Sequence, residues 1–209
     1  MKRELIAWVA GIHLPLAFVL WPIPYALAFW AVYIWTRRGE RQVLLRARAE
    51  ERRENDAGSW QVINYGSKAA RLGAFLAAFL TAPALEGSAR TILYAAGIAA
   101  MLCGSLLRRY CFRTLGTSFT FQVTVSQTSR IVKHGAYRWV RHPSYTGGMI
   151  YNVGIGLALT NWISVGLLAL GMGAVYVYRV RVEEQALCRA YEDYGEYMRH
   201  TKRFIPFVF

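Results

Sequence analysis

The sequence predicts an all-α fold: a polytopic integral membrane bundle of five or six spanning helices, with a polar C-terminal region on the cytoplasmic side. Two observations predict it. Hydrophobic residues make up 55% of the 209 residues, and they are bunched into runs of membrane-spanning length rather than scattered as in a soluble core. The charge is strongly positive, +13 from 25 basic and 12 acidic residues, and the cations fall almost wholly between the apolar runs. That placement is the cytoplasmic bias of membrane-protein loops and also suits contact with membrane lipids. No motif supports a nucleic-acid partner.

Residues 5–36 are apolar but interrupted by Trp21-Pro22-Ile23-Pro24. At about 1.5 Å per residue, one helix over this run reaches about 48 Å, beyond the roughly 30 Å hydrocarbon core. The expectation is a tight hairpin of two short spans turning at the prolines, with one long kinked helix as the alternative. Lys2-Arg3 before the apolar run, with no small-residue cleavage site, reads as an anchor rather than a removed signal. Residues 37–71 hold the densest positive charge, including Arg37, Arg38, Arg41, Arg46, Lys68 and Arg71. Val43, Leu44 and Leu45 amid those arginines suggest a helix on the membrane surface, with a solvated linker as the alternative.

Residues 72–85 form the next span, Pro83–Ser88 a short external turn, and 91–107 the return span, stopped by Arg108-Arg109. Phe119, Phe121, Val123 and Val125 then alternate with polar residues, an extended or strand-like signal. Residues 144–160 and 162–178 are two spans joined only by Asn161-Trp162, which forces an antiparallel hairpin. Gly147, Gly148, Gly154, Gly156, Gly166, Gly171 and Gly173 permit close helix approach there. Residues 179–209 read as a polar helix with Tyr191, Tyr194 and Tyr197 at spacing three, closing on Arg203-Phe-Ile-Pro206. Cys103, Cys111 and Cys188 form no CxxC pair, so neither a disulfide framework nor a metal site is indicated.

Two polar clusters frame the hairpin. The first is Ile131–Gly148, where Pro143 lacks an N–H and biases His142 away from helix. A helix starting at Pro143 or Ser144 turns its positive end toward the cytoplasm, a place for a carboxylate or phosphate. The second is Arg179-Val-Arg-Val-Glu183-Glu184. The hairpin returns both to one membrane face, and ionisable groups abutting an apolar interior are functional candidates. The bland alternatives are interface anchoring by Arg141 and Tyr145, and a self-neutralising patch of Glu183 and Glu184 with Arg179 and Arg181.

Val132-Lys-His-Gly-Ala-Tyr137, Arg141-His-Pro-Ser-Tyr145 with Gly147, the two-span hairpin, Glu183-Glu184, Tyr194–Tyr197 and Arg203-Phe-Ile-Pro206 together resemble the isoprenylcysteine carboxyl methyltransferase family. The likeness extends to the wider set of membrane methyltransferases that includes phospholipid N-methyltransferases. It covers residues 115–209, so the chain divides into N-terminal spans with a basic loop over 1–114 and a catalytic region over 115–209. The resemblance implies S-adenosylmethionine bound on the cytoplasmic side of a cell inner membrane or endomembrane. Its contacts fall on Ile131, Val132, Tyr137, His142, Pro143, Ser144, Tyr145 and Glu183, with Gln122 nearby. It assigns the lipophilic or lipidated substrate to Arg179, one helical turn from Glu183. One departure is Tyr191-Glu-Asp-Tyr194, where family members carry Phe-Gly-x-Glu-Tyr.

Methyl transfer from a sulfonium to an ionised acceptor needs alignment and exclusion of water rather than a base or a metal. For an amine acceptor, Glu184 or His142 is the candidate proton acceptor. Glu183 suits the cofactor's ammonium or ribose hydroxyls, and Arg179 an anionic acceptor. Other readings are a phospholipid amine methyltransferase, a sterol-reductase-like oxidoreductase using NADPH, and a membrane scaffold with a degenerate site.

Overall fold

The computed structural model describes residues 23–49, 58–81, 83, 85–116 and 131–205. Helix α1 spans Ile23–Ala49, α2 Ser59–Leu80, α3 Gly87–Leu115, α4 Pro143–Ala158, α5 Trp162–Ala190 and α6 Tyr194–His200, with a 3₁₀ turn at Gly135–Arg138 before α4. Among the described residues there is no strand beyond an isolated parallel bridge between Val140 and Lys202. The expected alternation at 119–125 and the proposed hairpin before Ile23 lie outside the described residues, as does Gln122.

Several helices run further than the charge pattern suggests. Pro24 sits in the first turn of α1, where no N–H is needed, and α1 continues past Arg37 and Arg38 to Ala49. Lys68 and Arg71, read above as part of a loop, belong to α2. Likewise α3 does not stop at Arg108-Arg109, and α5 carries Arg179, Glu183 and Glu184 on to Ala190. Charged side chains are no barrier to a helix that leaves the bilayer, so apolar length understates helix length. The polar C-terminal helix is shorter than expected, because the chain breaks at Tyr191 and restarts at Tyr194. Helices α3 and α5 are long and apolar enough to cross a membrane.

The bundle closes along two seams. Helix α3 packs along α4 and α2 along α5, while α4 meets α5 and α1 meets α3. Glycines make the first seam close. A Cβ on Gly97 would sit 2.2 Å from the backbone of Ala158, and one on Gly104 2.5 Å from the carbonyl of Gly147. Gly147 and Gly154 are similarly crowded on this seam and Gly156 crowds Val165 of α5, whereas Gly166 faces open space and does not serve the close approach expected of it. Such seams let backbones approach where the solvent is lipid. Phe29, Trp30, Tyr33 and Phe75 interlock as an aromatic cluster between α1 and α2.

The α4–α5 turn is built from local chemistry. Thr160 takes a left-handed conformation at φ 52°, and Asn161 caps α5 by accepting from the Ser164 N–H at 2.9 Å. Asn161 also donates to Thr81 at 2.6 Å, and Ser164 to the Ala74 carbonyl at 2.7 Å. The hairpin is thereby pinned to α2.

Candidate active site

Helix α4 begins as the local sequence requires. His142 is its N-cap in a non-helical conformation and Pro143 occupies the first turn, where its missing N–H costs nothing. The hairpin then carries α5 back beside this end, bringing the two polar clusters into contact. The Tyr145 hydroxyl donates to Glu183 Oε2 at 2.9 Å, and Arg179 acts on the same hydroxyl. Spacing of four puts Arg179 and Glu183 on one face of α5, and Tyr145 bridges them. Arg179 is buried, while Glu183 is half-buried.

Glu184 has a different environment. One oxygen accepts from Arg141 Nε at 2.8 Å and lies 3.3 Å from His142 Nε2, while the other accepts from Arg203 at 2.9 Å. Arg141 also donates to the carbonyls of Met198 and Thr201. The Arg141 and His142 backbone N–H groups donate to Lys202 and Arg203 carbonyls at 2.8 and 3.0 Å, and Thr146 donates to the Phe204 carbonyl at 2.8 Å. This clamp ties residues 198–204 onto the start of α4. Glu184 is thus paired with Arg141 and Arg203, two partners from outside its own helix.

Tyr137, in the 3₁₀ turn, is buried with its hydroxyl lacking an oxygen or nitrogen hydrogen-bond partner among the described residues. It lies within electrostatic range of Cys111, Glu183 and Tyr145, and burial pushes its phenol well above the ordinary range. Tyr197 donates to the Tyr137 carbonyl, and burial raises its phenol to about 12. Both are therefore neutral donors at physiological pH. Ile131 and Val132 are half-buried on the way into this turn, and Ser144 gives its carbonyl to Arg108 Nη1 at 3.0 Å.

Residues 96–189 match the model of one family. That family is the isoprenylcysteine carboxyl methyltransferase (ICMT) family. The ICMT-like region thus takes in most of α3, the start of α4, the hairpin and nearly all of α5. Among curated relatives, protein-S-isoprenylcysteine O-methyltransferase A of Arabidopsis thaliana is 31% identical over 115 residues, 54% of this chain and 58% of the relative. The rat protein-S-isoprenylcysteine O-methyltransferase is 32% identical over 121 residues, 56% of this chain and 43% of the relative. The chain spans about half the length of the curated relatives it matches. A solved structure titled as the eukaryotic intramembrane Ras methyltransferase ICMT superposes with a TM-score of 0.56 at 24% identity, covering 69% of this chain and 52% of that one. The ICMT-like fold is the common ground.

Sequence reasoning overlooked three buried residues around this site, Glu40, Arg71 and Asn152, and half-buried Arg108. Arg108 pairs with Glu40 of α1 at 2.8 Å, and Arg71 of α2 donates to Asn152 of α4 at 3.0 Å. From sequence, Arg71 reads as loop charge and Arg108 as a span terminator. The available signal was Asn152, a strongly polar residue inside an apolar run.

Proposed function

We propose that this chain is an integral-membrane, S-adenosylmethionine-dependent methyltransferase acting on a lipophilic acceptor presented from the bilayer. The relatives' names point to the carboxyl group of an isoprenylcysteine as the acceptor. The single observation that carries the reading is the Tyr145–Glu183 contact at 2.9 Å, which joins the two motifs the chain shares with the ICMT family. The buried Tyr137 hydroxyl supports it, because among the described residues it meets no oxygen or nitrogen partner and only the weakly accepting Cys111 thiol, and a buried donor so poorly satisfied is costly unless a ligand supplies a partner. The residues therefore fit the cofactor.

When bound, S-adenosylmethionine supplies a methyl group whose carbon–sulfur electron pair stays with sulfur while the acceptor's own lone pair makes the new bond. Everything else falls to the chain. Glu183 holds an ammonium or ribose hydroxyls, and Tyr145 fixes the orientation of its carboxylate. The α4 N-terminus with His142, Pro143 and Ser144 receives a carboxylate, and Tyr137 donates from the neighbouring turn, flanked by Ile131 and Val132. Arg179 orients an anionic acceptor beside Tyr145. A carboxylate acceptor arrives ionised, so no base is required. Glu184, with both oxygens already engaged, positions the C-terminal segment as a cover over the site rather than moving a proton.

The cytoplasmic face carries the donor site in this reading. Residues 1–114 shape the lipid-side entrance, and residues 115–209 hold the donor. Calorimetry on the purified full chain tests the proposal. Saturable binding of S-adenosylhomocysteine, weakened at least about tenfold by Glu183→Ala, is expected. Binding of NADPH in its place points to the reductase reading and overturns the methyltransferase.

A further inference from the structure

A buried arginine in α2 makes no ion pair of its own among the described residues. Arg71 is 9% exposed, and its Nε donates to a neutral partner, Asn152 Oδ1, at 3.0 Å. Among the described residues no carboxylate lies within ion-pair distance of it. Asn152 is itself held in place, donating to the Gly148 carbonyl at 2.7 Å and toward the Tyr176 hydroxyl at 3.4 Å. The guanidinium Nε of Arg71 is thus spent on a residue that fixes its direction. The nearest answering charge, Glu40, is already bonded to Arg108.

Its surroundings sharpen the imbalance. Arg108 lies on the same side of α4, since a Cβ on Gly148 would fall 2.5 Å from the Tyr176 hydroxyl and 2.7 Å from Arg108 Nη1. Arg108 is answered by Glu40 at 2.8 Å. Glu40 is within electrostatic range of Arg108, Arg37 and Arg71. Arg37 is exposed, so the two arginines held in the bundle, buried Arg71 and half-buried Arg108, share one carboxylate, an excess of one positive charge among the described residues. In a low-dielectric interior such an excess is costly unless an anion offsets it.

The cluster adjoins the candidate active site. The Tyr176 ring meets the Tyr145 ring at 5.1 Å between centroids, and Tyr145 bonds Glu183. Gly148 and Asn152 lie about one and two turns along α4 from Ser144, so the uncompensated charge faces the bundle interior one aromatic ring from the place assigned to the methyl donor.

We infer that Arg71, with Asn152 and Tyr176, forms an oxyanion site inside the bundle that takes the carboxylate or phosphate head of an amphiphile. Its role as an acceptor pocket rests on the proposed methyl transfer, whereas its anion binding does not. Arginine suits the task because its planar fork meets a two-oxygen head and is less heavily hydrated than an ammonium.

The test uses the full chain in zwitterionic nanodiscs with three radiolabelled probes: hexadecanoic acid, dodecyl phosphate and, as the uncharged control, hexadecan-1-ol. Arg71→Gln is expected to weaken the two acids at least about tenfold while leaving hexadecanol and S-adenosylhomocysteine unaffected, and Arg71→Lys is expected to recover much of the loss. Equal binding of acid and alcohol by the native chain, or acids insensitive to Arg71→Gln, overturns the site. Should Arg71→Gln not fold, Asn152→Asp supplies a carboxylate against Arg71 from within. That variant is expected to exclude the acids, and acid binding as in the native chain overturns the inference. Labelled methyl transferred to hexadecanoic acid supports the acceptor role. Binding without transfer to any acid assigns the site to a resident lipid phosphate and overturns that role alone. A native chain that binds the acids but not S-adenosylhomocysteine refutes the methyltransferase and leaves the anion site standing.

Discussion

At the end of the bundle where α4 begins, Glu184 accepts from Arg141 and Arg203 and faces His142, with both of its oxygens engaged. Inside the bundle, Arg71 and Arg108 flank α4 with Glu40 as the carboxylate that answers Arg108. Each region sets two arginines against one carboxylate, yet Glu184 bonds both of its arginines, whereas Glu40 bonds Arg108 and Arg71 is left on a neutral amide. A closed cluster holds elements together. An open one is a place for something else to bind, and the difference separates structure from recognition in a chain whose arginines look alike in sequence.

The strongest way to break this comparison is Glu184→Ala. Removing the carboxylate leaves Arg141, with its side chain 7% exposed, and the start of α4 without their partner. A loss of about 3–5 kcal/mol is expected, read as a lower thermal midpoint and faster proteolysis after Tyr191. Arg71→Met is the counterpart, and its effect on stability is expected to stay within about 1 kcal/mol, because removing an uncompensated charge offsets the lost bond to Asn152. A collapse of Arg71→Met as deep as that of Glu184→Ala would show both clusters to be structural.

Tyr145→Phe sharpens the boundary between them. It removes the bond to Glu183 but keeps the ring contact with Tyr176. S-adenosylhomocysteine affinity is expected to fall by about 10- to 150-fold, consistent with about 1.5–3 kcal/mol for one hydrogen bond to a charged group. Calorimetry gives the value directly, and an unchanged affinity would detach Tyr145 from the donor site. The smallest effect belongs to the exposed pair Lys133–Asp193 at 2.6 Å. The lysine holds the Asp193 carboxyl below its ordinary range, but in open solvent such pairs add little. Asp193→Asn should leave the thermal midpoint within measurement error.

Much of the site's framework was legible because its signals are local. Pro143 after His142 marked the start of α4, and the Asn161-Trp162 link forced α5 back toward it. The four-residue step from Arg179 to Glu183 placed both on one helix face, and Tyr145 meets that face. Adjacent Glu183 and Glu184 were harder. Neighbouring helical residues point about 100° apart, so one meets Tyr145 and the other the C-terminal segment, and which does which depends on where residues 198–204 return. Helix ends were misplaced for a related reason: apolar length reports the bilayer, whereas the hydrogen-bond ladder continues into water.

By itself, the order of apolar runs, breakers and cations determined an all-α bundle with a C-terminal hairpin, since each of those features acts over a few residues. Tertiary structure decided which charges meet. Glu40, Arg71, Arg108 and Asn152 come from four helices, and their encounter depends on glycines 97 and 104 letting α3 lie against α4. No local pattern carries that information, because a pair made across a helix seam is fixed by packing rather than by spacing along the chain.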